Sequence, residues 1–223
     1  GWPLPIEPFA PLPEEMPATL VPDENNGHVL LLQSEADLIW ANGALLRDDG
    51  SNPNYRSYEV AGAQHIQGWP FPDAGLEFLP VIRGLFIAGD RWVSAGQAPP
   101  ESLFIEEAPV ETIDPVYGMP TGIARDRDLN AAGGVRLPDL ALGRSQYIAV
   151  DFDAFPLIGT SIDLACEPLS DGAARFSDHG SYVARYVQET ARLVDEGFLL
   201  PADAYSLIAA AVSNDVGMPD ACP

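Results

Sequence analysis

Lysine is missing from this sequence: all 11 basic residues are arginine, against 33 acids, giving a formal charge of −22. A chain so acidic repels phosphate backbones and anionic lipid, which argues against nucleic acid and membrane surfaces as partners. A lysine-free acidic surface is first of all what a biased genome or a salty habitat produces. Cysteine is nearly as scarce, with only Cys166 and Cys222. Two cysteines cannot form a disulfide scaffold; they make one bond that ties down the C-terminus in an oxidising compartment, or two buried thiols. No apolar run approaches the roughly 20 residues that span a bilayer, and no secretory leader is recognisable. The chain opens on Gly1, as a mature or cleaved product would. Walker loop, dinucleotide fingerprint, zinc-ligand spacing and internal repeat are all lacking, so no metal or organic cofactor is expected.

What is present suits a folded protein. The 223 residues are 47% hydrophobic, enough for one domain with a sizeable core. Residues 1–27 hold seven prolines and no periodicity, and read as an extended lead-in segment anchored by Trp2, Phe9 and Met16. Its acidic end, Asp23 to Gly27, lacks the spacing of a calcium-binding loop and reads as a turn.

The following stretch organises the rest. Val29-Leu30-Leu31-Leu32 is a short continuous apolar run, the pattern of a strand covered on both faces of a mostly parallel sheet. Glu35 and Asp37 come just past its end, where catalytic groups collect in open α/β sheets. Ile39 to Leu46 suits a short helix, residues 48–54 are dense in turn formers, and Tyr55 to Val60 alternates as a second strand. Ala61-Gly62-Ala63-Gln64 then turns the backbone before His65. A carboxylate and an imidazole at the tips of successive strands can meet through the ring Nδ1–H, the contact that fixes a catalytic tautomer. Of the two acids Asp37 fits the turn position better, with Glu35 as the alternative. His28, at a strand start, and His179, before a helix, read as structural.

Further on, Gly68 to Pro72 is an aromatic loop that either walls a pocket or packs over the core. Helical spacing runs from about Pro80 to Ala95 and stops at Gly96 and the prolines at 99 and 100. Between residues 97 and 160 the composition turns to Pro, Gly and Asp, with strand candidates at Ser102 to Ile105 and Gln146 to Val150 and a glycine loop before Arg136. Arg136 is expected in a structural ion pair. Ser181 to Glu196 is amphipathic, with Tyr182, Tyr186, Thr190 and Leu193 on one row. A second helix starts at Pro201, so the two form a helical hairpin, and residues 214–223 read as a tail.

The fragments SEAD and YEVAGAQH, with DRWVSAGQAPP, AGGVRLPDL and the run from Arg175 to Ala211 in the same order, resemble a bacterial "alpha/beta hydrolase domain" family of esterase-like proteins over roughly residues 20–217. The resemblance implies an α/β fold: the C-terminal part of a doubly wound hydrolase sheet (residues 28–96) carrying acid and histidine. A loop-rich and helical-hairpin region (97–223) would be packed on it. In this fold the chain order is nucleophile, acid, histidine, the nucleophile sitting on a strand-to-helix elbow, usually G-x-S-x-G. No such elbow is present. Gly143-Arg144-Ser145 and Gly159-Thr160-Ser161 lack the second glycine and follow His65, and would serve only in a permuted arrangement. The expected function is therefore that of a C-terminal portion or subunit of a serine-type carboxylic-ester hydrolase. It would supply Asp37 (or Glu35) and His65, while an upstream or companion chain brings the serine. The alternative is a non-catalytic structural or binding subunit on the same fold. A small ester-like substrate is implied, and export of such family members points to the periplasm or beyond, leaving the cytoplasm open.

Overall fold

The structure, a computed structural model, describes residues 27–41, 43–67, 75–152, 157–218 and 220–222. The lead-in anchors Trp2, Phe9 and Met16, the acidic turn up to Asn26, and the aromatic loop from Gly68 to Pro72 lie outside the described residues.

Strand β1 (Val29–Ser34) is followed by helix α1 (Glu35–Ala41), a 3-10 turn (Gly43–Leu46) and strand β2 (Tyr55–Val60). The expected single helix over Ile39 to Leu46 is thus two pieces, with α1 starting earlier, at Glu35. The cause is a capping box. Ser34 Oγ accepts the backbone N–H of Asp37 at 3.2 Å, while the Asp37 carboxylate reaches back to accept the Ser34 N–H at 2.7 Å. A helical connection lets β1 and β2 pair in parallel, with Val29 opposite Tyr55 and Ser34 opposite Val60. Both strands therefore end at the same border, and the segments that leave them, toward Asp37 and toward His65, start side by side.

The other edge of β2 is covered by irregular chain. Leu103 and Val135 each form a parallel bridge to it, through Glu59 N–H to Leu103 O (3.0 Å) and Val135 N–H to Glu59 O (2.8 Å). Ser102 to Ile105 makes only such isolated bridges and not the expected strand. Gly134 must be glycine here: its φ is +66°, and a Cβ would sit 2.7 Å from Glu59 O. Among the described residues the parallel part of the fold has two strands plus these bridges, so the larger doubly wound sheet expected from the sequence is not seen at that size.

Helix α2 (Leu79–Ala95) packs Val81, Leu85 and Trp92 into the core and stops at Gly96 in the left-handed conformation. A two-residue hairpin, β3 (Ile113–Asp114) with β4 (Met119–Pro120), leads to α3 (Pro138–Ala141) and to the antiparallel pair β5 (Ser145–Ile148) and β6 (Thr160–Asp163). Helices α4 (His179–Asp195) and α5 (Pro201–Ser213) pack on each other. The row Tyr182, Tyr186, Thr190 and Leu193 is the buried face of α4. Asp178 caps that helix by accepting the Ser181 N–H at 2.8 Å.

One cluster around Tyr58, Val60, Leu85, Ile105 and Leu140 forms the main core; Leu142, Phe176, Tyr182, Tyr186, Ala211 and Val216 form a second beneath the helical pair. Residues 214–218 and 220–222, expected as a tail, are tied to the rest of the fold. Val216 is buried, its carbonyl is bonded by His179 Nδ1 at 2.9 Å, and Cys222 is bonded to Cys166 (Cα–Cα 5.3 Å). The disulfide resolves the choice between a bond and two thiols. No helix among the described residues is long and apolar enough to cross a membrane.

Candidate active site

The capping box that starts α1 also aims its acid. Asp37 Oδ2 is occupied by the Ser34 N–H (2.7 Å) and the Ser34 hydroxyl (2.8 Å), which leaves Oδ1 to face the loop beyond β2. That loop turns at Gly62, whose φ of +76° favours glycine and whose Cβ would lie 2.6 Å from Leu140. It is held to α1 by the Ala36 N–H on Ala63 O at 3.1 Å. His65 follows, with Nδ1 at 2.5 Å from Asp37 Oδ1. An ionised carboxylate only accepts, so this contact requires the proton on Nδ1; in the uncharged ring the lone pair is then on Nε2. The imidazole is about half exposed (51%) and Asp37 less so (23%), and no described side chain bonds Nε2. Chemically the pair can act as an oriented base: an imidazole fixed at Nδ1 and half exposed, with a carboxylate behind it to stabilise the imidazolium that forms when the ring takes a proton.

Glu35, the other carboxylate considered from the sequence, is not part of this contact. It is fully buried, Oε1 accepting from Arg125 Nη1 at 2.6 Å and Oε2 from the Gly62 N–H at 2.7 Å. Arg125 in turn donates to Asp114 Oδ2 through Nη2 (2.7 Å) and Nε (2.9 Å). Burial works against the Arg125 charge, but Glu35 and Asp114 beside it hold its pKa above the usual arginine range. A second buried carboxylate, Glu59 on β2, is gripped by Arg47 at 2.7 and 2.8 Å and by the Ile105 N–H.

The remaining candidates are structural. His28 stacks on Trp92 with ring centroids 4.2 Å apart, and both ring nitrogens of His179 meet carbonyls of residues 212 and 216. Arg136 pairs with Asp126. Across the antiparallel β5–β6 pair Ser145 lies opposite Asp163 and Ser161 opposite Tyr147, and neither leads from a strand into a helix. No described residues form an elbow of the kind a serine nucleophile needs. A cleft of about 670 Å³ runs between Leu38, Leu45, Val110 and Ile123, but its lining includes neither Asp37 nor His65, so it has no assigned part in this chemistry.

An acid and a histidine placed at the ends of adjacent parallel strands, in that chain order, are the arrangement of one large fold family. The chain belongs to the alpha/beta hydrolase domain family. The family's sequence model matches residues 2–209, most of the chain and all the elements that shape the Asp37–His65 pair. No curated protein and no solved structure gives a match. Within this alpha/beta hydrolase domain, Arg125 and Asp114 were not singled out from the sequence, and Glu35 was weighed only as the acid for His65. The signal available was acid placement: Glu35 and Glu59 sit in or beside apolar strands, where a carboxylate needs a cation.

Proposed function

We propose that this chain is the acid-and-histidine portion of a serine-type carboxylic-ester hydrolase, with Asp37 orienting His65 and His65 acting as general base and then general acid. The observation that supports it most is the 2.5 Å contact between Asp37 Oδ1 and His65 Nδ1, which leaves Nε2 outside that contact on a half-exposed ring. The serine comes from another stretch of polypeptide, upstream or in a companion chain. Nε2 takes the hydroxyl proton as the oxygen attacks the ester carbonyl, and returns it to the departing alcohol; water then releases the acid by the same route.

Two features support a second portion docked at this sheet. Among the described residues β1 pairs along one edge only, and an open parallel edge calls for a neighbour. Beside that edge α2 leaves Leu79, Ile82, Phe86 and Val93 exposed, the last two at 76% and 72%, with Phe86 and Val93 flanking His28 and Leu30. These residues lie along one helical stripe, the pattern of a face that packs on another element. A strand added in parallel to β1 ends at the same border as Asp37 and His65, and this is where the nucleophile-bearing part of a doubly wound sheet belongs.

The test is to label the native assembly with a fluorophosphonate and map the modified peptide. A serine in a G-x-S-x-G elbow outside this sequence is the expected result; modification of Ser145 or Ser161, or no modification at all, counts against the reading.

A further inference from the structure

Glu35 and Asp37 sit two residues apart in the first turn of α1, and each reaches the loop that ends in His65. Asp37 holds the imidazole; Glu35 holds the backbone three residues earlier, accepting the Gly62 N–H at 2.7 Å. We propose that Glu35 and Arg125 are positioning residues for His65: Glu35 clamps the turn at Gly62, and Arg125 holds the Glu35 carboxylate in place. The catalytic meaning of this clamp rests on the reading of Asp37 and His65 given above.

The geometry separates a clamp from an ordinary buried ion pair. Side-chain exposure is 0% for Glu35, 5% for Arg125 and 1% for Asp114, so the charges are withdrawn from water together. A buried carboxylate without a cation is costly, and relieving that cost by moving would break its bond to Gly62. Arg125 prevents this at 2.6 Å. Arg125 is itself fixed on the other side by Asp114, which also accepts from the Val116 N–H (2.8 Å) and the Thr121 hydroxyl (2.6 Å). The ring of Tyr117 lies 5.4 Å from the guanidinium carbon. The hairpin at 113–120 is thereby connected through three charged side chains to the loop that presents the imidazole. At Gly62 a bond to the backbone matters, because the positive φ there is what redirects the chain toward Asp37.

Two measurements on the full chain test this. The first is proton NMR of the Nδ1–H of His65, identified by its loss in His65→Ala. The second is the rate of fluorophosphonate labelling of the native assembly. Glu35→Gln is expected to shift or broaden the His65 Nδ1 proton while His28 and His179 keep their resonances, and to slow labelling about 100-fold, the loss that a small misplacement of a reacting group causes. Arg125→Lys, which keeps the charge, is expected to restore most of the rate relative to Arg125→Met. Asp114→Asn, a milder change that leaves Glu35 untouched, is expected to act in the same direction by a smaller factor and serves if the other variants do not fold. Variants that melt earlier yet keep the His65 resonance and the labelling rate would overturn the proposal and leave a purely structural ion pair. Labelling that survives His65→Ala would instead overturn the hydrolase reading, while the NMR result still decides whether Glu35 positions the ring.

Discussion

Replacing Asp37 by Asn is the sharpest perturbation of the pair, because the surrounding donors dictate which way the amide faces. The Ser34 N–H points at Oδ2 from 2.7 Å and has no other acceptor among the described residues, so the oxygen of the introduced amide must take that position. The amide NH2 is then turned toward His65 Nδ1. Two donors cannot face each other, so Nδ1 gives up its proton and Nε2 takes it, converting the outward nitrogen from acceptor to donor. The substitution keeps size and capping box but reverses the tautomer. The expected loss in the rate of fluorophosphonate labelling and of ester hydrolysis is about 10³- to 10⁴-fold, comparable to losing the tautomer in other triads, or roughly 5 kcal/mol of barrier. Nitrogen-15 NMR of His65 should show the exchange of protonated and unprotonated ring nitrogens, with thermal stability nearly unchanged. A variant that labels at the parent rate, or one whose ring keeps its proton on Nδ1, would refute the reasoning.

Other outcomes follow from the same structure. Arg47→Met leaves the Glu59 carboxylate buried without its cation, and urea titration should show a loss of about 3–5 kcal/mol. Reducing the bond between Cys166 and Cys222, which closes a loop of sequence separation 56, should cost about 4 kcal/mol by the chain-entropy argument, read as a lower melting temperature in reductant that Cys222→Ser reproduces without reductant. Asp178 is held below its ordinary pKa chiefly by the Ser181 N–H and then by the Ser181 and Ser177 hydroxyls. A carboxyl depressed in the fold stabilises above its unfolded value and loses that contribution as pH falls through the folded one. The melting-temperature gap between the parent and Asp178→Ala should therefore be flat near neutrality and close below about pH 4.

The local elements were legible wherever a repeat or a stop signal stood alone. Helix α2 runs from Leu79 to Ala95 because the apolar spacing, Pro80 and Gly96 agree, and the buried face of α4 is the row of Tyr182, Tyr186, Thr190 and Leu193. The proximity of Asp37 and His65 was readable because parallel strands end at one border. What decides between Asp37 and Glu35 was also in the sequence, in the spacing of Ser34 and Asp37 as a capping box, which fixes one carboxylate oxygen and releases the other. Contacts between distant segments were not legible. Arg125 reaches Glu35 across 90 residues, and no periodicity marks either. Leu103 and Val135 complete the edge of β2 with single bridges, too short to leave a strand pattern, and the C-terminal residues gain their order from one disulfide and the bond to His179.

The most direct measurement compares fluorophosphonate labelling of the native assembly containing His65 with that of the same assembly carrying His65→Ala, both checked to be folded through the resonances of His28 and His179. Loss of nearly all labelling on the replacement is the result expected of an imidazole that draws the proton from a serine elsewhere in the polypeptide. Labelling that proceeds at the parent rate without the imidazole would contradict it.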